Sequence, residues 1–212
     1  MKILDVKSLK IEAVKVIRFS RFRDHRGYFA EQYRRSDFTN GPCADFMKGV
    51  EFVQANESYS RTGTIRGVHF QWNPYMGKLV RTLSGRMVDM ALDIRKGSPT
   101  FGKIVLYDMP ANREADYHEW IWVPPGFAHG NFFLEETLIE YLCSGEYSQG
   151  CEAGISPLAA DIDWSLCEPK LKKLFDNIVA SSPLISDRDK NAFCVADWTA
   201  NKQSDNFVYG RL

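Results

Sequence analysis

Hydrophobic and polar residues alternate along most of the chain, and this pattern predicts β-strands. The clearest example is RMVDMALDI, residues 86–94. Because successive side chains of a strand point to opposite faces, its even-numbered apolar residues share one face, and Asp89 and Asp93 share the other. A strand face that carries carboxylates is usually exposed to solvent, but in a barrel it can line a ligand cavity.

Six further segments have the composition of strands. Each is short, and glycine or proline residues stand between them. This spacing favours an antiparallel sandwich or barrel over alternating β–α–β units. The segments are Glu51–Glu57, Lys78–Leu83, Lys103–Asp108, Glu119–Val123, Gly130–Leu134 and Leu138–Ser144.

The pattern changes after about residue 156, where it becomes helical. Within DWSLCEPKLKKLFDNI, the side chains of Leu171, Leu174 and Phe175 recur at helical spacing, which predicts an amphipathic helix. The last residues, SDNFVYGRL, are polar with a few aromatic side chains, and we expect them to be loosely held or to pack on a partner.

The composition is that of a globular protein without a nucleic-acid partner. Hydrophobic residues make up 44% of the 212 residues and charged residues 25%, which suffices for a buried core. Lysine plus arginine and aspartate plus glutamate both number 27, whereas nucleic-acid-binding proteins usually carry a positive excess. The segment MKILDVKSLKIEAVKVI does not resemble a signal peptide because charges interrupt its apolar residues, and no apolar run reaches the roughly 20 residues of a membrane span. We therefore expect no membrane partner and a cytoplasmic location.

Several common chemistries lack sequence support. The five cysteines are widely spaced and contain no CxxC pair, so free thiols in a reducing compartment are expected. Neither a GxGxxG fingerprint nor a GxxxxGK[ST] loop occurs, which removes the main signals for dinucleotide and P-loop chemistry.

His69 is the histidine with the most suggestive surroundings, because it lies in the glycine-flanked, strand-like stretch GTIRGVHFQWNPYMGKLV. A metal centre would need three or four convergent ligands, but no HxH pair is present, and His25 and His118 occur in polar, turn-like segments. A metal site of His69, His129 and a carboxylate is therefore less favoured than proton chemistry or simple packing of the ring.

Two cations stand close to His69 in the sequence, Arg66 and Lys78. No acidic run is present nearby to neutralise them. Cations beside an imidazole suit an anionic substrate such as a phosphate, although exposed charges on a barrel rim would give the same pattern.

Four ordered motifs resemble those of the dTDP-4-dehydrorhamnose 3,5-epimerase family. They are FRDHRGYFAEQY, FVQANESYSRTGTIRGVHFQ, GKLVRTLSGRMVDMALDIRKGSPTFG and WVPPGFAHGNFFL, and the resemblance runs from about Phe22 to about Asp189. It implies an all-β fold, a cupin jelly roll or double-stranded β-helix barrel with a short C-terminal helical extension. We therefore expect a cupin-like epimerase domain at residues 1–189, and an extension at residues 190–212 that packs on the barrel or on a partner subunit.

The resemblance also implies an activity. It implies a homodimeric epimerase without cofactor or metal, acting on a nucleotide-diphospho-4-keto-6-deoxy sugar. The C4 carbonyl of such a sugar acidifies the hydrogens on C3 and C5, so epimerisation needs a base, an acid and a cation near O4. Open alternatives are reaction at C3, at C5 or at both, a dTDP, GDP or other nucleotide, a 3,4-ketoisomerase, and a non-catalytic sugar-nucleotide-binding cupin.

Four residues match the catalytic positions of the family. His69 matches the general base, which suits a group with an ordinary pKa of about 6.5, and Asp189 matches the carboxylate that orients it. Lys78 matches the cation at the developing oxyanion. Tyr141 matches the general acid on the opposite face, which stays protonated at neutral pH because its ordinary pKa is about 10.

Nine further residues match positions that contact the substrate. Those at the nucleotide end are Arg26, Phe29, Glu31, Gln54 and Asn56, those near the diphosphate and sugar are Arg66 and His129, and Glu152 and Arg188 complete the set. Arg188 stands where the family pattern has a lysine, which keeps the charge but changes its geometry.

Overall fold

Two antiparallel sheets form the body of the protein. The computed structural model describes residues 2–212, and for Ala44 the backbone only. The larger sheet has the strand order β1-β2-β10-β7-β12-β5, the smaller sheet has the order β13-β6-β11-β8-β9, and β3 and β4 form a separate hairpin. The strands are β1 (Ile3–Ser8), β2 (Lys15–Ser20), β3 (Phe22–Asp24), β4 (Gly27–Phe29), β5 (Gln54–Ser60), β6 (Ile65–Gln71), β7 (Lys78–Ser84), β8 (Arg86–Asp93), β9 (Ile104–Pro110), β10 (Tyr117–Val123), β11 (Phe127–Phe133), β12 (Thr137–Cys143) and β13 (Glu152–Gly154).

The strand pairings confirm the predicted all-β jelly roll. All pairings between these strands are antiparallel. Strands distant in sequence lie side by side, as β2, β10, β7 and β12 do, which is the interleaving typical of a jelly roll. The two sheets thus enclose an interior to which both contribute side chains.

Apolar side chains fill three layers. The first lies between the two sheets and includes Val80 and Ala91. The second lies between the smaller sheet and the C-terminal segment and includes Met90 and Phe175. The third, which includes Trp120, lies on the outer face of the larger sheet and is covered by the segment around residues 35–52.

Strand β8 is buried on both faces because each is covered by a different layer. Met90 packs toward the C-terminal segment, whereas Ala91 faces the other sheet. Asp89, on the same face as Ala91, is 1% exposed. The sequence left two expectations for the face that carries Asp89, exposure to solvent or a place in a barrel interior. The second is correct for Asp89.

His118 corrects a sequence expectation. It does not lie in a polar turn but in β10, where it is 7% exposed and stacks on Phe19 at a centroid distance of 5.5 Å. The polar residues next to His118 in sequence suggested exposure. The face of the larger sheet that carries His118 is instead covered by the segment around residues 35–52, which is distant in the chain. The alternation pattern also misses β1 and β2, whose apolar residues are interrupted by lysine and arginine.

The helices are short, and the predicted amphipathic helix is the longest. Its Pro169 occupies the first turn, where the missing N–H costs nothing, and Leu171 and Phe175 are buried. The helices are α1 (Arg35–Asn40), α2 (Ala44–Met47), α3 (Pro169–Ala180), α4 (Asp187–Lys190), α5 (Val195–Ala200) and a 3-10 helix (Lys202–Asn206). None of the helices within residues 2–212 has the length and apolar character needed to cross a lipid bilayer.

Residues beyond 190 pack against the smaller sheet. Trp198 and Phe207 are 1% and 0% exposed. Their rings lie 4.6 and 5.5 Å from that of Phe70, measured between centroids. The segment therefore covers the outer face of β6, opposite the face that carries His69.

Candidate active site

A polar cavity opens between the two sheets and divides into two adjoining lobes. The lobes have volumes of about 160 and 220 Å³, and His69, Lys78 and Tyr141 line both. The first lobe is also lined by Ser58, Arg66, His129, Asn131 and Asp189. The second is also lined by Gln54, Asn56, Gln71, Cys143, Tyr147 and Glu152.

His69 extends from β6 into the cavity and is held by a carboxylate. Its Nε2 lies 2.6 Å from Oδ1 of Asp189, which is 6% exposed. Burial by itself would raise the pKa of Asp189, but hydrogen bonds from His69 and the Gly67 amide outweigh it and lower that pKa. An ionised carboxylate only accepts hydrogen bonds, so Nε2 donates and Nδ1 is left as the basic nitrogen of the ring.

Asp189 is positioned by a short helix and by β6 together. Ser186 precedes α4, and its Oγ accepts a hydrogen bond from the Asp189 amide at 3.1 Å, as an N-terminal capping residue does. The other carboxylate oxygen, Oδ2, accepts from the Gly67 amide at 3.1 Å. The Gly67 amide thus holds one carboxylate oxygen while the other contacts His69, and the Ser186 cap holds the backbone of Asp189.

Two facing glycines let β6 and β11 approach closely at this point. A Cβ on Gly67 would lie 2.7 Å from the carbonyl oxygen of His129, and one on Gly130 would lie 2.3 Å from that of Arg66. Gly67 also has a φ of +94°, which glycine adopts most readily. The pairing register shifts here, between His129 and Asn131, so that the strands bulge at the edge of the first lobe.

Lys78, the first residue of β7, places an ammonium in the cavity wall. It forms no ion pair with any residue that the structure describes. Burial lowers its pKa, while Cys143 and Asp89 oppose the shift. A half-buried cation without a counter-ion is suited to stabilise negative charge that develops on a bound molecule.

Tyr141 lies on the opposite wall from His69. It belongs to β12 in the larger sheet and pairs in register with Asn56, whereas His69 belongs to the smaller sheet. Burial raises the pKa of Tyr141, and Arg66 and Asn56 only partly offset this. The cavity therefore has a basic nitrogen on one side and a protonated hydroxyl on the other.

A second histidine–aspartate pair lies deeper in the first lobe. Nε2 of His129 is 2.7 Å from Oδ2 of Asp89, and the same oxygen accepts from Asn131 at 3.0 Å. Oδ1 of Asp89 has no partner among the described residues. Sequence reasoning missed Asp89 and Asn131 as site residues, although the alternation of residues 86–94 was a usable signal for Asp89.

Polar residues at the second lobe are linked in one network. Glu152 accepts from the Tyr147 hydroxyl at 2.7 Å and pairs with Arg188 at 2.8 Å. Burial would raise the pKa of Glu152, but these two partners lower it overall. Gln54 accepts from the Tyr147 amide at 2.8 Å and donates to Asn56 at 3.1 Å. The structure thus brings Gln54, Asn56 and Glu152 to the lobe, whereas Arg188 lines neither lobe and contacts Glu152 from outside the lining.

The remaining sequence-predicted residues lie elsewhere. Arg26, Phe29 and Glu31 line neither lobe of the cavity. Arg26 instead pairs with Asp24 at 2.6 Å, and Phe29 is 68% exposed on the β3–β4 hairpin. Within one chain these three residues are therefore separate from the cavity.

The ligand types that a metal centre needs do not converge in the described part of the chain. Within residues 2–212, no group of three or more histidine, cysteine, aspartate or glutamate side chains is placed to hold an ion. His69 and His129 do face each other in register across β6 and β11, but each is bonded to its own aspartate.

Comparison with known proteins shows similarity along most of the chain. A family model described as dTDP-4-dehydrorhamnose 3,5-epimerase matches residues 8–197. The enzyme of that name from Sinorhizobium fredii is 41% identical over 163 residues, covering 74% of this chain and 79% of the relative. The one from Shigella flexneri is 38% identical, covering 84% and 89%. The crystal structure of dTDP-6-deoxy-D-glucose-3,5-epimerase from Legionella pneumophila in complex with dTDP-4-keto-L-rhamnose has a TM-score of 0.78 at 27% identity, covering 98% and 99%.

Proposed function

Because the chain belongs to the dTDP-4-dehydrorhamnose 3,5-epimerase family, we propose that it epimerises C3, C5 or both carbons of a nucleotide-linked 4-keto-6-deoxy sugar. One observation carries the proposal: the His69–Asp189 pair and Tyr141 stand on opposite walls of one cavity that Lys78 also lines. The proposed steps use only these side chains and no cofactor.

Proton abstraction is assigned to His69. Its Nδ1 takes the proton from C3 or C5, and the electron pair of the broken C–H bond moves into the C4 carbonyl to form an enolate. The Asp189 carboxylate, 2.6 Å from Nε2, holds the required tautomer and stabilises the imidazolium that forms. A positioned general base of this kind contributes about 10²–10⁴-fold to a rate.

Stabilisation of the enolate is assigned to Lys78. The negative charge of the enolate resides mainly on O4, and an ammonium fixed beside it lowers its energy. Lys78 suits this role because burial disfavours its charge until a counter-charge arrives. The stabilisation is thus larger in the transition state than in the ground state, which is the condition for catalysis.

Reprotonation is assigned to Tyr141. Its hydroxyl donates a proton to the carbanion carbon from the face opposite His69, which inverts the configuration. Exchange with water then returns a proton to the tyrosinate and removes one from the imidazolium, so no net proton is gained or lost. The raised pKa of Tyr141 supports the role because the hydroxyl stays protonated at neutral pH.

Isotope exchange tests the proposal directly. In D₂O, the protein should introduce deuterium at C3, C5 or both carbons of a dTDP-linked 4-keto-6-deoxy sugar, and mass spectrometry with NMR would identify the labelled carbon. GDP-linked analogues in the same panel would report nucleotide preference. If the protein binds these sugars but exchanges no hydrogen in any of them, the catalytic proposal is refuted, and a non-catalytic binding role remains.

Substrate binding is assigned to both lobes. Nε2 of His129 is occupied by Asp89, so Nδ1 is the nitrogen available to a ligand. Together with the guanidinium of Arg66 at the mouth of the first lobe, it is suited to the diphosphate and sugar. The amides of Gln54 and Asn56 and the Glu152 carboxylate offer hydrogen bonds in the second lobe.

Arg26, Phe29 and Glu31 can contribute only if a second chain takes part. We propose a homodimer in which the β3–β4 hairpin of one subunit reaches the cavity of the other. The hairpin exposes Phe22, Tyr28 and Phe29 by 53%, 43% and 68%, and an isolated two-stranded hairpin is at best marginally stable in water. Packing on a partner would cover these rings and bring the three residues to a substrate.

Subunit complementation tests this arrangement. A His69→Asn chain and a Phe29→Ala/Arg26→Gln chain should each have low activity as homodimers. A mixed dimer would contain one cavity with an intact His69 and an intact hairpin from the partner, so mixing after mild dissociation should restore activity. No recovery despite verified mixed dimers would mean that the hairpin does not serve the neighbouring cavity.

A cytoplasmic location is also proposed. The five cysteines form no disulfide, which supports a reducing compartment. Recovery of the native protein mainly from a membrane or periplasmic fraction of its source cells would contradict this.

A further inference from the structure

A second cavity, here called the split pocket, lies where β7 and β10 separate. These strands pair only from Ile121–Val80 to Val123–Lys78, and their remaining residues run apart. The split pocket has a volume of about 110 Å³ and shares no lining residue with the active-site cavity. Its polar lining consists of Arg21, Thr82, Asn112, Tyr117, His118 and Glu119.

Two residues of the split-pocket lining, His118 and Arg21, carry buried nitrogens with unused hydrogen-bonding capacity. Among the described residues, both ring nitrogens of His118 and Nε of Arg21 lack a hydrogen-bond partner. His118 is only 7% exposed. Because buried polar groups in native proteins are nearly always hydrogen-bonded, these nitrogens indicate a place where a polar ligand binds.

The charge of Arg21 indicates the sign of that ligand. Its Nη1 donates to the carbonyl oxygens of Asn112 and Ala115, but it forms no ion pair with any residue in 2–212. Burial lowers the pKa of Arg21, and the nearby guanidiniums of Arg23 and Arg81 add to this effect. A partly buried cation in such surroundings is stabilised by an anion.

The neighbouring arginines, in contrast, have carboxylate partners. Arg23 pairs with Asp116 at 2.9 Å, and Arg81 pairs with Glu140 at 2.6 Å. Arg21, whose guanidinium stacks over the Tyr28 ring at 4.4 Å, is thus the arginine at the split pocket that has no carboxylate partner among the described residues.

Glu119, the one carboxylate in the lining, is neutralised. It pairs with Arg18 at 2.7 Å and accepts a hydrogen bond from the Tyr107 hydroxyl, which lies 3.1 Å from both carboxylate oxygens. It therefore does not compensate Arg21.

His118 adds an adaptable donor. Burial, with Arg81 and Arg21 nearby, lowers its pKa to about 4, so the ring is neutral at neutral pH. A neutral imidazole carries one N–H, and stacking on Phe19 fixes the plane of the ring.

We propose that the split pocket binds one small oxyanion of the size of phosphate, held between the Arg21 guanidinium and a ring N–H of His118. The Asn112 amide and the Tyr117 hydroxyl offer further donors at its surface side. Because Arg21 directly precedes β3, a bound oxyanion also fixes the base of the β3–β4 hairpin.

Calorimetric titration with inorganic phosphate at constant ionic strength tests the proposal. The active site also holds cations suited to phosphate, so the titration is done on Arg66→Gln and repeated on wild-type protein saturated with dTDP. Both should still bind one phosphate and unfold at a higher temperature in its presence. Adding Arg21→Gln should raise the Kd roughly tenfold or more, since a hydrogen bond to a charged group contributes about 1.5–3 kcal/mol.

Arg23→Gln is the matched control, because it removes a neighbouring arginine that already has a carboxylate partner, and phosphate affinity should change little. A second readout, the ¹⁵N shifts of the His118 ring, needs no variant of Arg21 and should respond to phosphate. Phosphate binding that survives Arg21→Gln, disappears with Arg66→Gln or dTDP, or leaves the His118 nitrogens unchanged would overturn the proposal. So would an absence of phosphate binding.

Discussion

Two histidines line the cavity, and the exposed fraction of each side chain decides which of them can act as the base. Both bind an aspartate through Nε2, which leaves Nδ1 free in each ring. The side chain of His69 is 33% exposed and that of His129 only 7%. His69 can thus meet a sugar carbon, whereas His129 is held behind it and is suited to hydrogen bonding.

Substitution should separate these roles. His69→Asn should lower kcat by about 10²–10⁴-fold with little change in dTDP affinity, because it removes the base but not the binding groups. His129→Asn should mainly raise KM. Steady-state kinetics and calorimetric dTDP titration would check both variants, and equal losses of kcat would contradict the assignment.

The lowered pKa of Lys78 predicts a pH dependence. A lowered pKa means that the ammonium loses its proton at a lower pH than an ordinary lysine, whose pKa is 10.5. Activity that requires the ammonium should therefore fall on the alkaline side before pH 10.5 is reached. Tyr141, whose pKa is raised, should lose its proton later.

Lys78→Arg provides the test, because a guanidinium stays charged throughout this range. In profiles of kcat/KM against pH, the residual activity of the variant should decline at a higher pH than that of the wild type. Lys96→Arg, at a surface lysine paired with Asp205, is the control and should leave the profile unchanged. If kcat/KM of Lys78→Arg fell at the same alkaline pH as that of the wild type, the loss of the Lys78 proton could not be the cause of the decline.

At the scale of elements, the site depends on how closely β6 is packed by its neighbours. Gly67 and Gly130 allow β11 to approach on one side, and Gly154 of β13 pairs with His69 on the other. A Cβ on Gly154 would lie 3.0 Å from Cδ2 of the His69 ring. The strand pairing thus sets the ring orientation that the proton transfer needs.

Gly154→Ala should therefore impair chemistry more than folding. The added methyl group would press on the His69 ring and lower kcat by roughly tenfold or more, since small displacements of a catalytic group are costly. Gly150→Ala is the contrasting variant: its φ of +83° makes the change unfavourable, but no atom lies within 4 Å. It should lower the melting temperature without lowering kcat, and the reverse pattern would contradict this account.

At the scale of the whole molecule, the two sheets supply different parts of the site. The smaller sheet carries His69 and the larger carries Lys78 and Tyr141. Asp189, 120 residues from His69 in sequence, comes from the C-terminal segment that also packs on β6. Catalytic geometry and global packing are therefore coupled.

The proposed assembly belongs to this scale. Light scattering at micromolar concentration should give twice the chain mass of 24.3 kDa, because dimerisation covers the exposed hairpin aromatics. Replacing Phe22 and Phe29 with serine should weaken the dimer while the barrel stays folded by circular dichroism. A wild-type mass of one chain would contradict the homodimer.

Much of the architecture could be predicted from local pattern and motif resemblance. The alternation of residues 86–94 correctly indicated a strand but left open whether Asp89 faces solvent or a barrel interior, and helical spacing correctly indicated α3. The motifs predicted membership of the epimerase family, which the comparisons confirm. They also singled out His69, Lys78, Tyr141 and Asp189, which the structure gathers around one cavity, although their roles stay predictions.

The sequence by itself determined the strands with a clear side-chain period, such as β8, because that period is a local property of the backbone. It also determined which types of acid and base are available, but it did not reveal β1 and β2, whose apolar residues are interrupted by charged ones. Tertiary structure alone decided which faces are covered and which distant groups meet. It buried His118 under a segment remote in sequence, paired Asp89 with His129, and left Phe29 outside the cavity of its own chain. The physical reason is that burial and hydrogen-bond partnership depend on what packs against a residue, and neighbours along the chain do not specify that.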